Sequence, residues 1–207
     1  MRNADRIFDD LAAMYQMAEC ELDFKTPFQL LVAVILSAQC TDARVNKITP
    51  ILFARADNPY DMAKLSREEL EEAIKSCGFY HNKAKSILSA SKALCEKFNG
   101  VVPSTVEELM TLDGVGKKTA NVVYSVAFGG NAIAVDTHVF RVSHRLGLTK
   151  AKDPLGVERD LCNIFKEEQW STLHHLLIHH GRYCCKARKP ECYRCPLKDI
   201  CKESNYE

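Results

Sequence analysis

Four cysteines near the end of the chain have a spacing that could hold one metal centre. Six, two and five residues separate successive members of the set Cys185, Cys192, Cys195 and Cys201. Four thiolates can bind a zinc ion or an iron–sulfur cluster. Structural zinc sites usually contain two Cys-x-x-Cys pairs and this segment contains one, whereas iron–sulfur ligands follow several spacings. The residues alone therefore predict a four-thiolate centre and leave its metal open.

A second candidate is a lysine that follows two glycines, in the segment LDGVGKKT. A phosphate-binding P-loop needs a glycine five positions before its Gly-Lys pair and a hydroxyl residue directly after it. Thr111 and Lys118 occupy those positions, so the motif is not a P-loop. Gly114 and Gly116 instead suit a tight turn between two helices, whose exposed N–H groups can bind a DNA phosphate without reading sequence. A connection that merely turns the chain is the simpler alternative.

Helix signals recur along the chain and strand signals are weak, so we predict an all-α protein. Thr26-Pro27 is typical of a helix start and precedes an apolar segment that should be buried. Ser66 and Glu69 have the spacing of a capping box, which opens a helix that ends near Gly78. A second helix is predicted over residues 82–98.

The glycine turn lies between two further predicted helices. Ser104 and Glu107 have capping-box spacing and would open a short helix. A longer helix over residues 117–128 should end at the glycines that follow it. Asp136 ends an apolar run and should cap the next helix. Helical patterns also cover residues 157–165 and 170–180.

Charge and hydropathy limit the class of protein. Lys and Arg number 28 against 27 for Asp and Glu, so any DNA-binding surface must be a local patch. The longest apolar run, Leu30–Leu36, is too short to span a membrane, and residues 1–10 are too polar for a secretory signal. We therefore expect a soluble cytoplasmic protein. In that setting the remaining cysteines should be small core residues rather than disulfides: Cys20, Cys40, Cys77, Cys95 and Cys162.

Three motifs in order give the chain a family resemblance. LDGVGKKTANVV is followed by AVDTHVFRV and then by GRYCCKARKPECYRCPLKDIC, and LLVAVILSAQCTD and CGFYHNKAKSI lie upstream. Together they resemble the endonuclease III family of DNA glycosylases over nearly the whole chain. The resemblance implies two helical lobes with DNA in the cleft between them, a helix-hairpin-helix and a C-terminal [4Fe–4S] loop. One lobe would be a six-helix domain at residues 21–130, and the other would combine residues 1–20 with 131–207.

The resemblance also implies catalytic roles. Lys118 matches the family's nucleophile, and Asp136 matches its acid. A neutral lysine amine can attack the sugar C1′ as the base departs and form an iminium that eases elimination of the 3′ phosphate. Burial, the neighbouring Lys117 and the helix dipole would favour the neutral amine. Asp136 would stabilise positive charge on the sugar, accept a proton or orient water. From spacing alone, an exposed lysine and a helix cap are the simpler alternatives.

Cofactor and DNA contacts follow from the same resemblance. It implies a [4Fe–4S] cluster at the four cysteines, with Cys184 as an extra thiol. The simplest role of a cluster there is to fold a basic loop that contacts phosphate and contains Lys186, Arg188, Lys189 and Arg194. A solvated charged loop is the alternative. The target nucleotide must be flipped out of the duplex, so side chains must fill the vacated stack. Gln39 and Phe79 match the family's inserting positions; the alternative for Phe79 is a core residue at a turn between helices. His138 would line the pocket or contact phosphate, although packed histidines are more common.

We thus predict a monomeric base-excision repair glycosylase with AP lyase activity that acts on the nucleoid. Its partner would be double-stranded DNA with an oxidised pyrimidine or an abasic site, and no membrane. A mismatch or pyrimidine-dimer glycosylase on the same scaffold is one alternative. A non-enzymatic iron–sulfur DNA-binding sensor is another, although the presence of both Lys118 and Asp136 counts against it.

Overall fold

The computed structural model of the chain describes residues 2–203, and within that range it is helical and contains no strand. The predicted all-α class is therefore confirmed. No helix in the range is long and apolar enough to cross a membrane. The helices are α1 (Arg2–Met14), α2 (Pro27–Ser37), α3 (Asp42–Phe53), α4 (Pro59–Lys64), α5 (Arg67–Ile74), α6 (Tyr80–Lys97), α7 (Val106–Leu109), α8 (Lys117–Phe128), α9 (Thr137–Arg145), α10 (Pro154–Ile164) and α11 (Trp170–Tyr183), with 3-10 turns at Glu167–Gln169 and Cys192–Arg194.

The helices form two compact units. The inserted unit, Glu21–Gly129, contains α2 to α8. The terminal unit comprises the chain up to Cys20 and the chain from Gly130 onward, and it contains α1 and α9 to α11. Seven helical segments thus lie in the inserted unit, where six were predicted; two of them, α4 and α7, have only six and four residues.

Helix α2 is the centre of the inserted unit. Every residue from Phe28 to Leu36 is buried, and α2 packs against α3, α6 and α8. Fully burying one such aliphatic side chain contributes about 1.5–3 kcal/mol, so this helix supplies much of the unit's stability. As predicted, Thr26 caps it by accepting a hydrogen bond from the Gln29 N–H, and Pro27 is its first residue. At its other end the helix is followed by a turn at residues 38–40, which the Cys40 N–H closes by donating to the Ser37 carbonyl oxygen at 3.0 Å.

Two predicted capping boxes have different outcomes. The Ser66–Glu69 box is present and opens α5. The Ser104–Glu107 box is wrong by one position, because Thr105 caps α7. The Thr105 hydroxyl accepts from the Glu108 N–H and donates to the Glu108 carboxylate, so the carboxylate bonds the hydroxyl instead of the backbone. The spacing was correct but its register was not.

The terminal unit has its own core, built from α1, α9, α10 and α11. Helix α11 packs against both α1 and α9. The chain after α11 forms a loop, residues 184–203, that is fastened to this core by the fully buried Leu197. Cys185, Cys195 and Cys201 pack against the same core. The loop therefore rests on a rigid helical base.

Candidate active site and iron–sulfur site

The two glycines of the hairpin differ in their surroundings. Gly114 has φ +78°, and a Cβ there would lie 2.6 Å from the Cβ of Ser86 on α6. Its packing therefore requires glycine. Gly116 is the N-cap of α8 with an ordinary φ of −86°, and a Cβ there would meet nothing within 4 Å. Packing within the chain does not require glycine at this position, but close approach of a ligand to the backbone would.

The start of α8 is suited to an anion. Gly116 has no side chain to cap the helix, and no acidic residue lies in the first turn. Unbonded N–H groups at a helix start attract negative charge. Lys118, the second residue of the helix, is exposed, and no hydrogen bond or ion pair of its side chain occurs among residues 2–203. The burial expected for this lysine is therefore absent in the protein alone.

Asp136 is held in one orientation at the start of α9, as predicted. Its Oδ1 accepts hydrogen bonds from the backbone N–H groups of His138 and Val139, both at 2.8 Å. The preceding residues, 132–135, are buried and anchor it from behind. The side chain is partly buried, and no hydrogen bond from the described residues reaches Oδ2. One carboxylate oxygen is thus structural and the other is available for chemistry. Asp136 belongs to the terminal unit and Lys118 to the inserted unit.

His138 is packed within the terminal unit. Its Nδ1 lies 3.2 Å from Nη2 of Arg141, and a Cβ on Gly181 would lie 2.8 Å from its own Cβ. Burial is the main cause that lowers the pKa of His138 below its usual value. The packed alternative therefore describes its surroundings, and DNA contact by His138 stays a prediction.

Gln39 and Phe79 share an uncommon backbone conformation. Their φ angles are +51° and +57°, in the left-handed region that non-glycine residues rarely adopt. Phe79 is 65% exposed, so it is not a core residue, and Gln39 is also exposed. Among the described residues two more share this conformation: Asn99, which follows α6, and Lys189 in the basic loop. Such strain clusters at functional sites, and three of the four residues are predicted DNA contacts.

The turns that carry Gln39 and Phe79 are neighbours within the inserted unit. A Cβ on Gly78 would lie 3.5 Å from the carbonyl oxygen of Gln39. The buried Lys83 of α6 donates from Nζ to the carbonyl oxygen of Leu36 at 2.8 Å, which ties α6 to the end of α2. The two predicted inserting residues are therefore presented together.

The four spaced cysteines line one pocket of the terminal unit. Its volume is about 400 Å³, part of it open to solvent, and the lining includes Cys185, Cys192, Cys195 and Cys201. Four thiolates around one pocket fit an iron–sulfur cluster or another thiophilic metal centre. The four predicted ligands therefore lie together, and their role as the ligand set stays a prediction.

Cys184 adds a complication that spacing did not show. It is buried, and its sulfur, with Cys195 and His180, forms a second possible metal-binding group whose ligand atoms lie within 4.8 Å of one another. The neighbouring Cys184 thiol is the main cause that lowers the pKa of Cys195 to about 4, and Cys195 in turn is the main cause that raises the pKa of Cys184. The Cys184 thiol donates to the Glu191 carbonyl oxygen at 3.5 Å, and the Cys195 sulfur lies 3.6 Å from Nε2 of His180.

Arg141 and Arg145 bind the cysteine loop to α9, and sequence reasoning missed both. Arg141 donates to the carbonyl oxygens of Gly181 and Cys185, at 2.9 and 3.2 Å. Arg145 donates to the Lys186 carbonyl at 2.8 Å and approaches the Cys185 sulfur at 3.4 Å. Their spacing of four residues, on the helix that begins after Asp136, was the available signal.

The basic loop presents fewer free charges than its composition indicated. Lys186 and Arg194 both pair with Glu191. Arg188 and Lys189 are exposed, and neither has an ion pair among the described residues. Arg188 and Lys189 are thus two loop cations that other side chains of the described range leave available for phosphate.

Known proteins and family models match this chain over most of its length. A model of the HhH-GPD superfamily base excision DNA repair proteins matches residues 32–167, and a model of the iron-sulfur binding domain of endonuclease III matches residues 185–201. Endonuclease III of Bacillus subtilis is 51% identical over 204 residues, which cover 98% of this chain and 93% of that protein. The chain belongs to the endonuclease III family. The Escherichia coli member is 46% identical over 181 residues, which cover 87% of this chain and 86% of that protein.

Solved structures of the family agree with the fold. A structure described as a trapped endonuclease III–DNA covalent intermediate has a TM-score of 0.95 and 51% identity, and covers 98% of this chain and 96% of its own. A non-covalent endonuclease III–DNA complex has a TM-score of 0.94 and 50% identity, with 98% and 95% covered. A thermostable thymine-DNA glycosylase, 20% identical with a TM-score of 0.89 and 98% and 97% covered, shares the fold.

These matches confirm several predictions. The chain is a base-excision repair DNA glycosylase with AP lyase activity, it carries an iron–sulfur binding domain, and its partner is DNA. The individual roles of Lys118, Asp136, the four cysteines and the DNA-contacting residues stay predictions.

Proposed function

We propose that this endonuclease III family member excises oxidised pyrimidines from double-stranded DNA and cleaves the strand through a Schiff base on Lys118. The exposure of Lys118 at the uncapped start of α8 is the observation that carries the proposal, because it offers a nucleophile beside an anion site. Bound DNA would bury the Lys118 side chain, which is exposed in the free protein.

The reaction divides into steps that these residues can perform. The neutral amine of Lys118 attacks C1′, the C1′–N bond to the base breaks, and the base leaves with a proton. The attached amine loses a proton, and the C1′–O4′ bond then breaks as O4′ takes up a proton, which opens the sugar ring and gives an iminium. Loss of a C2′ proton then expels the 3′ phosphate, and water releases the sugar and regenerates Lys118. The free Oδ2 of Asp136 stabilises positive charge on the sugar and accepts protons.

DNA contacts would come from both glycines, the two strained turns and the basic loop. The N–H groups at Gly114 and Gly116 hold a phosphate, Gln39 and Phe79 enter the vacated stack, and Lys189 contacts the backbone. His138 supports the pocket through its packing. The protein would work as a monomer on nucleoid DNA, because one chain carries every group that this mechanism uses.

The iron–sulfur cluster is bound, in this proposal, by Cys185, Cys192, Cys195 and Cys201. When present it supplies four metal–thiolate bonds that fold the loop carrying Arg188 and Lys189. Cys184 stays outside the ligand set, and its thiol donates to the Glu191 carbonyl oxygen. No step of the base chemistry requires electron transfer or a metal-bound water.

Borohydride trapping tests the mechanism. Duplexes containing one thymine glycol, one mismatch, one pyrimidine dimer or one abasic site are incubated with the wild type, with Lys118→Gln and with Lys117→Gln as the matched control. We expect a covalent adduct on the thymine glycol and abasic duplexes that only Lys118→Gln abolishes. Base release without any adduct would mean that water is the nucleophile. If adducts formed only on the mismatch or dimer duplexes, the substrate would be a mismatch or a pyrimidine dimer and not an oxidised pyrimidine.

A further inference from the structure

Two cysteines outside the iron–sulfur loop touch each other. The Sγ atoms of Cys40 and Cys77 lie 3.9 Å apart, although 37 positions separate the two residues in sequence. Cys77 is buried, whereas Cys40 is partly exposed. The sequence prediction placed both in the core as unrelated small residues. The contact is instead a pair of thiols, one accessible to small molecules and one behind it.

The pair lies between the two strained turns. Cys40 directly follows Gln39, and Cys77 precedes Phe79 by two residues. Neither cysteine is in a helix, since α2 ends at Ser37 and α5 ends at Ile74. Turns can shift more readily than helices. An S–S bond is about 2.0 Å long, so the sulfur atoms need to approach by only about 2 Å.

We propose that Cys40 and Cys77 form a reversible disulfide that pins the Gln39 and Phe79 turns together and lowers the rate of lesion excision. The regulatory half of this inference rests on the proposed insertion of Gln39 and Phe79 into DNA; formation of the bond does not. The oxidant is a low-molecular-weight disulfide such as oxidised glutathione.

The chemistry balances as two thiol–disulfide exchanges. The Cys40 thiolate attacks the small disulfide, forms a mixed disulfide and releases one small thiol. The Cys77 thiolate then attacks Cys40 Sγ and releases the second. Two protein thiols have lost their hydrogens, and one small disulfide has been reduced to two thiols. Burial is the main cause that raises the pKa of Cys77 to about 11, so the second exchange should be the slower one and should accelerate as pH rises.

The effect on excision follows from position. The covalent bond fixes the separation of the two turns and constrains the backbone next to both inserting side chains. A misplacement on the order of 1 Å can cost up to about 100-fold in rate, so we expect the oxidised protein to release a damaged base roughly 10- to 100-fold more slowly. Dithiothreitol should restore the rate.

The bond can be detected without any activity. The cluster-containing protein is incubated without oxygen in mixtures of reduced and oxidised glutathione, quenched with N-ethylmaleimide, unfolded and digested with trypsin. Cleavage after lysine and arginine places Cys40 in peptide 26–44 and Cys77 in peptide 76–83. We expect these two peptides to become linked. Absence of the linked pair at every glutathione ratio overturns the proposal.

Matched variants separate the bond from damage to the cluster. Cys40→Ser and Cys77→Ser should keep full excision activity and lose its inhibition by oxidised glutathione, while Cys95→Ser, in the same unit, should behave as the wild type. The visible absorbance of the cluster should stay constant throughout. The regulatory proposal is wrong if oxidised glutathione inhibits Cys40→Ser as strongly as the wild type. It is also wrong if the disulfide-linked protein excises as fast as the protein with both thiols free. Linked peptides in a protein that never excises oxidised pyrimidines would instead refute the proposed substrate and leave the disulfide standing.

Discussion

Alanine substitutions at the two hairpin glycines should affect different properties. Gly114→Ala should lower the stability of the protein, and Gly116→Ala should lower its affinity for DNA. At Gly114 the new Cβ must sit at φ +78° and 2.6 Å from the Ser86 Cβ. A left-handed non-glycine residue costs about 1–2 kcal/mol and overpacking about 1–3 kcal/mol, so Gly114→Ala should lower the free energy of unfolding by about 2–5 kcal/mol. At Gly116 a new Cβ would contact no residue beyond its neighbours in the chain within 4 Å, and φ is ordinary, so Gly116→Ala should change stability by less than about 1 kcal/mol.

DNA binding should show the reverse difference. A Cβ at Gly116 would keep a phosphate away from the first N–H groups of α8, and we expect affinity for duplex DNA to fall about tenfold, the equivalent of one lost phosphate contact of about 1.4 kcal/mol. Urea unfolding and fluorescence anisotropy with a labelled duplex measure the two effects. Adding Ser86→Gly to Gly114→Ala should recover the packing part of the loss but not the backbone part.

Two results would refute this reasoning. If Gly116→Ala binds DNA as the wild type does, the hairpin does not hold a phosphate. If Gly114→Ala is as stable as the wild type, the contact with Ser86 is not a close one.

Three further predictions concern the terminal unit. Asparagine is a good helix cap, so Asp136→Asn should change stability by less than about 1 kcal/mol. Excision should slow by about 100- to 10,000-fold because the carboxylate is lost. Loss of activity only in proportion to the fraction of protein that unfolds would point to a structural role alone. Cys192→Ser should lose iron and expose residues 184–203 to proteases, and retention of full iron content would remove Cys192 from the ligand set. Burial is the main cause that lowers the pKa of His175 from 6.5 to about 4, so the folded protein binds fewer protons than the unfolded chain between these values. The contribution of His175 to stability should therefore be complete above pH 6.5 and be lost as pH drops toward 4, by roughly 3 kcal/mol. Urea unfolding measures it. A urea midpoint of the wild type that does not change over this pH range would contradict the assignment, as would a pH dependence that His175→Gln leaves unchanged.

Local signals predicted the helices and their ends well. Thr26-Pro27, the Ser66–Glu69 box, the 117–128 helix and the Asp136 cap all depend on bonds within a few residues, so the sequence contains what is needed to identify them. The register error at Thr105 shows the limit of this approach, since two adjacent hydroxyl residues offered the same cap.

Contacts between distant segments were not predictable in the same way. The Cys40–Cys77 contact, the Lys83 bond to Leu36 and the pairing of Glu191 with two basic residues depend on how helices pack. No periodicity encodes them. The left-handed backbone at Phe79 was also invisible, because phenylalanine does not favour it and only the surrounding structure imposes it.

Helix α9 connects two parts of the protein that the sequence separates by about fifty residues. Asp136 caps its first turn, and Arg145, its last residue, holds the cysteine loop. Nine residues of α-helix span only about 13 Å, so the proposed acid and the metal-binding loop share one short rigid rod. If Asp136 acts as proposed, loss of iron would loosen the contacts at the Arg145 end of α9 and disturb the orientation of the Asp136 carboxylate at the other end. Repair capacity would then decline with iron supply even though iron takes no part in breaking the bond.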